Sequence, residues 1–405
     1  MLNKNINNFF FVLFSIIPIT IIAGPAISLL NILFIDICFL LLLIHKKDYS
    51  FLKTDVIKYL LIFYIYLLFN SLISIDQKIG FFRNFGFLRF IILFVAFNYF
   101  FKEKFFLKNV LKSWTLILSF ILIDIFIENF TGRNLVGFGE IYNERIVSFF
   151  KDEPIVGGFI NSFYLIIIGF LFTYFKNKNL ILIFSIIFLI AILATGERSN
   201  GIKAILGLLI FYVLLKEYDL KKKITLLISV ITLITVIIFS SDFLKSRYIG
   251  QIKSHIYSDQ IYFKLYKSGF LVFKNHQFFG VGNKNYRIEA CGNKHFNTEK
   301  KNEYFCNTHP HQIYIELLSE HGIVGSIIIL FLLYKIIFSK ISLVFKEQNY
   351  MQIGSFIYLT TIFTPLIPSG AFFGDYMLTL YMINMSIFYC SNKKLNIFNS
   401  VNNKI

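Results

Sequence analysis

The stretch Asn307-Thr-His309-Pro-His311-Gln312-Ile-Tyr314-Ile-Glu316-Leu-Leu-Ser-Glu320-His321-Gly322-Ile-Val-Gly325 sets polar, proton-handling side chains directly ahead of an apolar run. An imidazole changes protonation near neutral pH, so His311 is suited to taking a proton from an attacking hydroxyl or steadying one by hydrogen bonding. The plainer alternative is an interfacial histidine bonded to polar backbone, and His309 and His321 keep that reading. Pro310 suits the first turn of a helix. On a helix beginning there, His311, Tyr314, Ile315 and Leu318 share one face and Gln312, Glu316 and Glu320 the neighbouring one. Gln312, Tyr314 and Glu316 are then candidate contacts for a substrate bound at His311.

Two arginines stand out by position. Arg198 sits in the short turn Thr195-Gly-Glu197-Arg198-Ser-Asn200 between apolar runs, and Arg145 opens Arg145-Ile-Val-Ser-Phe-Phe-Lys-Asp152-Glu153-Pro-Ile-Val-Gly157-Gly158. Boundary arginines ordinarily snorkel to the headgroups. Held in so short a turn, however, the planar fork of Arg198 suits a diphosphate better than a lysine would. Gly157-Gly158 permits close approach of a helix or a ligand. Asp152 and Glu153 fit either charge compensation at a helix N-terminus or the site itself. Cys38 and Cys390 fall in apolar runs as fillers. Cys291 and Cys306 suit a disulfide closing a loop of about 15 residues, worth roughly 3 kcal/mol by chain entropy. The rival is a metal set, Cys306-x-x-His309-x-His311, which lacks a fourth ligand at clear spacing. The expectation is therefore a disulfide and no metal. The chain also has no Asp-x-Asp pair of the kind that holds a metal-bound nucleotide diphosphate.

These groups need a membrane scaffold. With 56% hydrophobic residues, 52 Phe in 405 residues and a mean hydropathy of +0.67, the chain holds more apolar surface than one aqueous core can hide. Apolar stretches of spanning length, about 17–25 residues each, run at roughly 8–23, 26–44, 57–74, 85–101, 110–128, 156–175, 179–194, 202–215, 224–240, 322–338, 351–368 and 375–390. They predict an all-α polytopic membrane protein of about twelve transmembrane helices. The first run resembles a signal peptide, but the second follows at once, so a retained hairpin with Gly24-Pro25 at its tip is expected.

Short cytoplasmic loops accumulate Lys and Arg. With the N-terminus inside, the short inner loops hold 21 basic residues and the short outer ones 8, with 11 of the 40 in the long segment 241–312. Both termini are then cytoplasmic and 241–312 lies outside. The +17 net charge reads as topology and attraction to anionic membrane lipids, with no basic-aromatic module for nucleic acid. Four regions follow: N-terminal helices over 1–140, helices with outward-facing arginine turns over 141–240, a loop domain over 241–312 and C-terminal helices over 313–405. Phe270-Leu-Val-Phe273 and the turn Gly280-Val-Gly282 predict that the loop domain folds into short amphipathic helices.

The order His311-Gln312, nine residues, Gly322-Ile-Val-Gly325 resembles the signature loop of bacterial O-antigen ligases and the related O-antigen polymerases. Segments 145–158, 195–200, Phe279-Gly280-Val-Gly282-Asn-Lys-Asn-Tyr286-Arg287 and 307–325 resemble that family in order, most specifically between about 140 and 330. The resemblance implies a GT-C-like enzyme of the bacterial inner membrane with one long periplasmic loop and an active site facing the periplasm. It implies inverting, metal-independent and cofactor-free transfer of a glycan from an undecaprenyl-diphosphate-linked donor. The acceptor would be lipid A core, which makes a ligase, or another lipid-linked repeat, which makes a polymerase. By motif the acceptor-side histidine maps to His311, and the donor-binding arginines to Arg198, Arg145 and Arg287. Glu197 stands where the family has a small residue, making the local field less positive, and Gln312 stands in place of Asn but keeps an amide. A flippase or transporter of lipid-linked oligosaccharide is the alternative. It would place charge at the bilayer midplane or repeat its halves, whereas here the polar groups gather on one side.

Overall fold

A computed structural model describes residues 4–139, 145–151, 153–250, 261–292 and 304–399. Asp152 lies outside them, as do Lys404 and parts of the loop domain. The described residues are all-α apart from one isolated bridge, Arg133 to Gly139. The α-helices of five or more residues are α1 Lys4–Ser15, α2 Ile17–Ile22, α3 Pro25–Lys46, α4 Asp55–Leu72, α5 Gln77–Phe85, α6 Leu88–Phe101, α7 Lys104–Thr131, α8 Val156–Tyr174, α9 Lys178–Ala194, α10 Arg198–Leu214, α11 Leu220–Ser240, α12 Ile261–Asn275, α13 Tyr286–Ala290, α14 Ile313–Ile336, α15 Ile341–Glu347, α16 Tyr350–Thr361 and α17 Asp375–Cys390.

Seven helical stretches among the described residues are long and apolar enough to cross a membrane. They are Pro25–Lys46, Asp55–Leu72, Gln77–Phe101, Lys104–Thr131, Val156–Tyr174, Leu220–Ser240 and Ile313–Glu347, with Lys178–Ala194 slightly shorter. The other expected spans are broken or short for local reasons. Pro18 separates α1 from α2 because it cannot donate to the carbonyl four residues back. That carbonyl, on Phe14, accepts instead from the Trp114 indole at 2.9 Å. The expected run 351–368 is helical only to Thr361, ahead of Pro365 and Pro368.

α8 is the axis of the fold, buried along nearly its whole length and packed by α7, α9, α10, α16 and α17. Its closest neighbour is α16. A Cβ at Gly169 would stand 2.3 Å from the Tyr350 carbonyl oxygen, and one at Gly354 would stand 2.1 Å from that of Leu165. Small residues thus set the crossing, as in other membrane helix pairs.

The loop domain is plugged into a broken helix. Within α14, Gly322 adopts φ +62° and ψ −171°, so the ladder is interrupted there. The freed carbonyls of Ser319 and Glu320 accept from Val281 (3.0 Å) and Gly282 (2.9 Å), and the freed Ile323 and Val324 amides donate to Gln277 (2.8 Å) and Phe278 (3.1 Å). Backbone polar groups are exchanged one for one, as membrane burial requires. Asn283 continues the junction, donating its N–H to Asn70 Oδ1 at 2.7 Å and its side-chain amide to Asn84. The Gly322 to Gly325 spacing is therefore architectural: a Cβ at Gly322 would lie 2.3 Å from Phe278 backbone, and one at Gly325 would run into the Tyr66 hydroxyl. Gly322→Ala combines a strained φ with that clash and is expected to destabilise the fold by more than about 2 kcal/mol. A markedly lower melting temperature in detergent checks it.

Candidate functional site

The arginine turn is built on the N-terminus of α8. Glu197, buried, accepts from the Gly157 N–H at 2.5 Å and the Gly158 N–H at 3.1 Å, and the Asn200 side-chain amide donates to it at 2.7 Å. A carboxylate there satisfies first-turn donors and complements the helix dipole. Burial pushes the Glu197 carboxyl up, opposed by Asn200, the two glycine amides and the Arg145 charge. The glycine pair is needed because a Cβ at Gly157 would meet Thr195 Oγ1 at 2.5 Å and one at Gly158 the Asn200 amide at 2.7 Å. The residue that compensates the α8 terminus is thus Glu197, forty positions away in sequence, while Glu153 lines a separate groove. Glu197→Ala leaves three donors without their acceptor and is expected to destabilise by about 1–3 kcal/mol for each one left buried. Glu197→Gln should fall between, as judged by thermal unfolding.

From this base the turn presents its cations to a cavity of about 590 Å³. Arg145, Arg198 and Arg247 line it together with buried Lys203, and His311 faces them. Arg145 donates to the Pro154 carbonyl at 3.0 Å, while its buried Nε makes no hydrogen bond. Arg247 donates Nε and Nη2 to the Gly196 carbonyl at 3.2 and 2.9 Å. Burial lowers the affinity of Arg198 and Arg247 for their protons, and the neighbouring Arg145 charge adds to it in both, against the partial compensation of Tyr262 and Tyr248. Three half-buried guanidiniums on one cavity wall can together hold a multiply charged anion. Tyr262 and Tyr266 of α12 and Tyr376 of α17 complete the polar lining. An apolar groove of about 510 Å³ adjoins, sharing Ile155 and Tyr376 and lined by Ile21, Leu29, Ile32, Phe149 and Phe150.

The helix expected after Pro310 begins at Ile313, with Gln312 as its N-cap accepting from the Ile315 N–H at 2.9 Å. His311 lies outside it at φ +55°, a conformation unusual for a residue with a Cβ, and its carbonyl accepts from the Ser369 N–H at 2.8 Å. The His309 and His311 rings stand 3.9 Å apart, and Tyr262 meets His311 edge-on at 6.0 Å. Burial pushes both imidazoles down, against a backbone hydrogen bond at Ser369. For His309 the His311 and Lys284 charges add to it, bringing the value to about 3.

The remaining sequence candidates occupy other places. Gln312 is taken up by its cap, and the Tyr314 hydroxyl donates to the Phe363 carbonyl at 2.7 Å. Glu316 is buried beneath the site, accepting from the Phe372 N–H at 3.0 Å. Arg287 is exposed and lines a different cavity. Cys291 and Cys306 close a disulfide that ties the chain entering His311 to the end of α13. Cys306 is thereby withdrawn from the Cys306-x-x-His309-x-His311 set, and among the described residues no group of three or more His, Cys, Asp or Glu could hold a metal ion. Arg247, Tyr262 and Tyr266 had no local signal: the loop domain is rich in Lys and Tyr, and only its folding over the arginine turn selects these, while Lys203 lies on α10 five residues beyond Arg198.

Comparison with curated proteins finds no match to the chain. Its seven long apolar helices make the chain an integral membrane protein, and residues 183–330, which contain Arg198, Arg247, His311 and the Gly322 to Gly325 pair, match the family model described as O-antigen ligase.

Proposed function

We propose that the chain is a membrane glycosyltransferase that moves a glycan from an undecaprenyl-diphosphate-linked donor to an acceptor hydroxyl at the periplasmic face. The observation that carries this reading is the one cavity in which Arg145, Arg198 and Arg247 stand with His311. A diphosphate matches the cluster in charge and in its capacity for several bidentate contacts, and the adjoining apolar groove suits the first isoprenes of its carrier. In the reaction the acceptor oxygen bonds to the anomeric carbon as the bond from that carbon to the diphosphate oxygen breaks. The electron pair leaves with the diphosphate, where the guanidiniums stabilise it. The acceptor proton passes to His311, which burial keeps neutral near pH 7 and therefore able to receive it. Attack opposite the leaving group inverts the anomeric configuration. The cations do by side chains what a divalent ion does in many nucleotide-sugar sites.

The deciding experiment is transfer in vitro from a defined undecaprenyl-diphosphate-linked oligosaccharide, offered lipid A core or a second lipid-linked repeat. Product on the first makes the chain a ligase, and product on the second a polymerase. Intact movement of the donor across vesicles, with no product on either, would replace the reading with lipid-linked oligosaccharide transport.

A further inference from the structure

A second cationic cavity, of about 490 Å³, shares Arg89 and Asp375 with the apolar groove and no lining residue with the arginine cavity. Arg83, Arg89, Lys284 and Arg287 line it against one carboxylate, Asp375. Asp375 already pairs with both Arg83 and Arg89. Among the described residues Lys284 and Arg287 make no ion pair, which leaves the cavity wall with an excess of positive charge. Two further carboxylates lie behind Lys284 and not on the wall: Glu316 accepts from the Phe372 N–H and Glu320 from the Tyr286 N–H at 3.3 Å, and both are buried.

The position of this cavity gives it a meaning. The segment Thr308-His309-Pro310-His311 connects the two sites, with Thr308 lining the second cavity and His311 the first. His309 lies between them, 3.9 Å from the His311 ring and close enough to Lys284 to feel its charge. A molecule anchored by an anionic group among Lys284 and Arg287 therefore sits one short segment away from His311, outside the lining of the arginine cavity. Resting on the glycan-transfer reading above, we infer that the Arg83, Lys284 and Arg287 cavity is an acceptor site that recognises a phosphate group, holding the acceptor so that its hydroxyl meets His311. Both acceptor classes supply that chemistry, lipid A core through its phosphates and a second lipid-linked repeat through its diphosphate. The Arg83 and Arg89 pairs with Asp375 fix the wall, and Lys284 and Arg287 supply the contacts.

The test uses the full chain in nanodiscs of zwitterionic lipid and two probes, undecaprenyl diphosphate and lipid A core with or without its phosphates. Lys284→Ala/Arg287→Ala is expected either to bind phosphorylated lipid A core about tenfold or more weakly, or to lose one of two bound equivalents of undecaprenyl diphosphate. The first result identifies a ligase acceptor and the second a polymerase acceptor. In either case the variant should keep the undecaprenyl diphosphate equivalent that Arg198→Ala loses. Because Arg287 is exposed, Arg287→Glu probes the same wall without risk to the fold and should reproduce the loss. Wild-type binding of both probes by the Lys284→Ala/Arg287→Ala and Arg287→Glu variants would overturn the inference. So would equal affinity for phosphorylated and dephosphorylated lipid A core together with a single undecaprenyl diphosphate equivalent. Failure of Arg198→Ala to weaken undecaprenyl diphosphate binding would instead overturn the donor site and the reading on which the inference rests.

Discussion

His311→Ala is expected to reduce glycan transfer by about 10²–10⁴-fold, the usual contribution of a positioned general base, while undecaprenyl-diphosphate-linked donor still binds. The variant removes no contact to the arginine turn, so loss of turnover with donor affinity intact separates chemistry from binding. His311→Gln should be nearly as impaired, since an amide can bond a hydroxyl but cannot take its proton at pH 7. The pH dependence follows from burial, which pushes His311 below the ordinary imidazole value of about 6.5. Activity should persist into mildly acidic solution and fall only below that value. Stability carries a matching sign. Unfolded imidazoles bind protons from about pH 6.5 downward, whereas folded His309 does so only at about 3. Between those limits the unfolded state binds more protons, so stability declines as pH drops through that window. His309→Gln should flatten that decline in a pH series of melting temperatures. Normal glycan assembly in cells carrying His311→Ala at native expression would sink the enzymatic reading and favour transport.

The sequence showed the scaffold and the poles of the site better than it showed their support. Apolar length marks helices directly, and His311 and Arg198 stood out because polar residues at the edge of such runs need a reason. The missing part was tertiary. Glu197 looked like a charge that would blunt its neighbour Arg198, yet it is turned onto Gly157 and Gly158 and fixes the turn that presents the arginine. Gly322 looked like part of a chemical signature and proves to be the break into which 277–282 inserts. Arg287, beside a recognisable turn, was drawn to the donor site by motif, but the α13 helix presents it to the neighbouring cavity. Arg247, by contrast, lies in a stretch with no motif and reaches the site through Gly196. The span count shows the same limit: hydropathy marked 351–368 as one run, but Pro365 and Pro368 turn its end toward Ser369 and the His311 carbonyl.

Arg198→Ala is expected to abolish donor binding at working concentrations and to lower transfer by about 10²–10³-fold or more, the size seen when one donor to a developing anion is removed. Arg247 also holds the Gly196 carbonyl and Arg145 the Pro154 carbonyl, so their removal mixes binding with local unfolding. Melting of the unliganded variant, measured alongside, separates loss of the ligand contact from any loss of folded stability. Wild type should gain stability on adding undecaprenyl diphosphate, because a ligand that binds only the folded state raises its melting temperature. The variant should lose the part of that gain that comes from the arginine cavity, and all of it where undecaprenyl diphosphate binds there alone. Arg198→Lys keeps the charge but loses the planar fork, so it should recover part of the thermal shift and little of the turnover. Full turnover in Arg198→Lys would mean that the cluster acts as a diffuse field and not as a set of directed contacts. An unchanged ligand-induced shift in Arg198→Ala would remove the diphosphate from this cavity altogether.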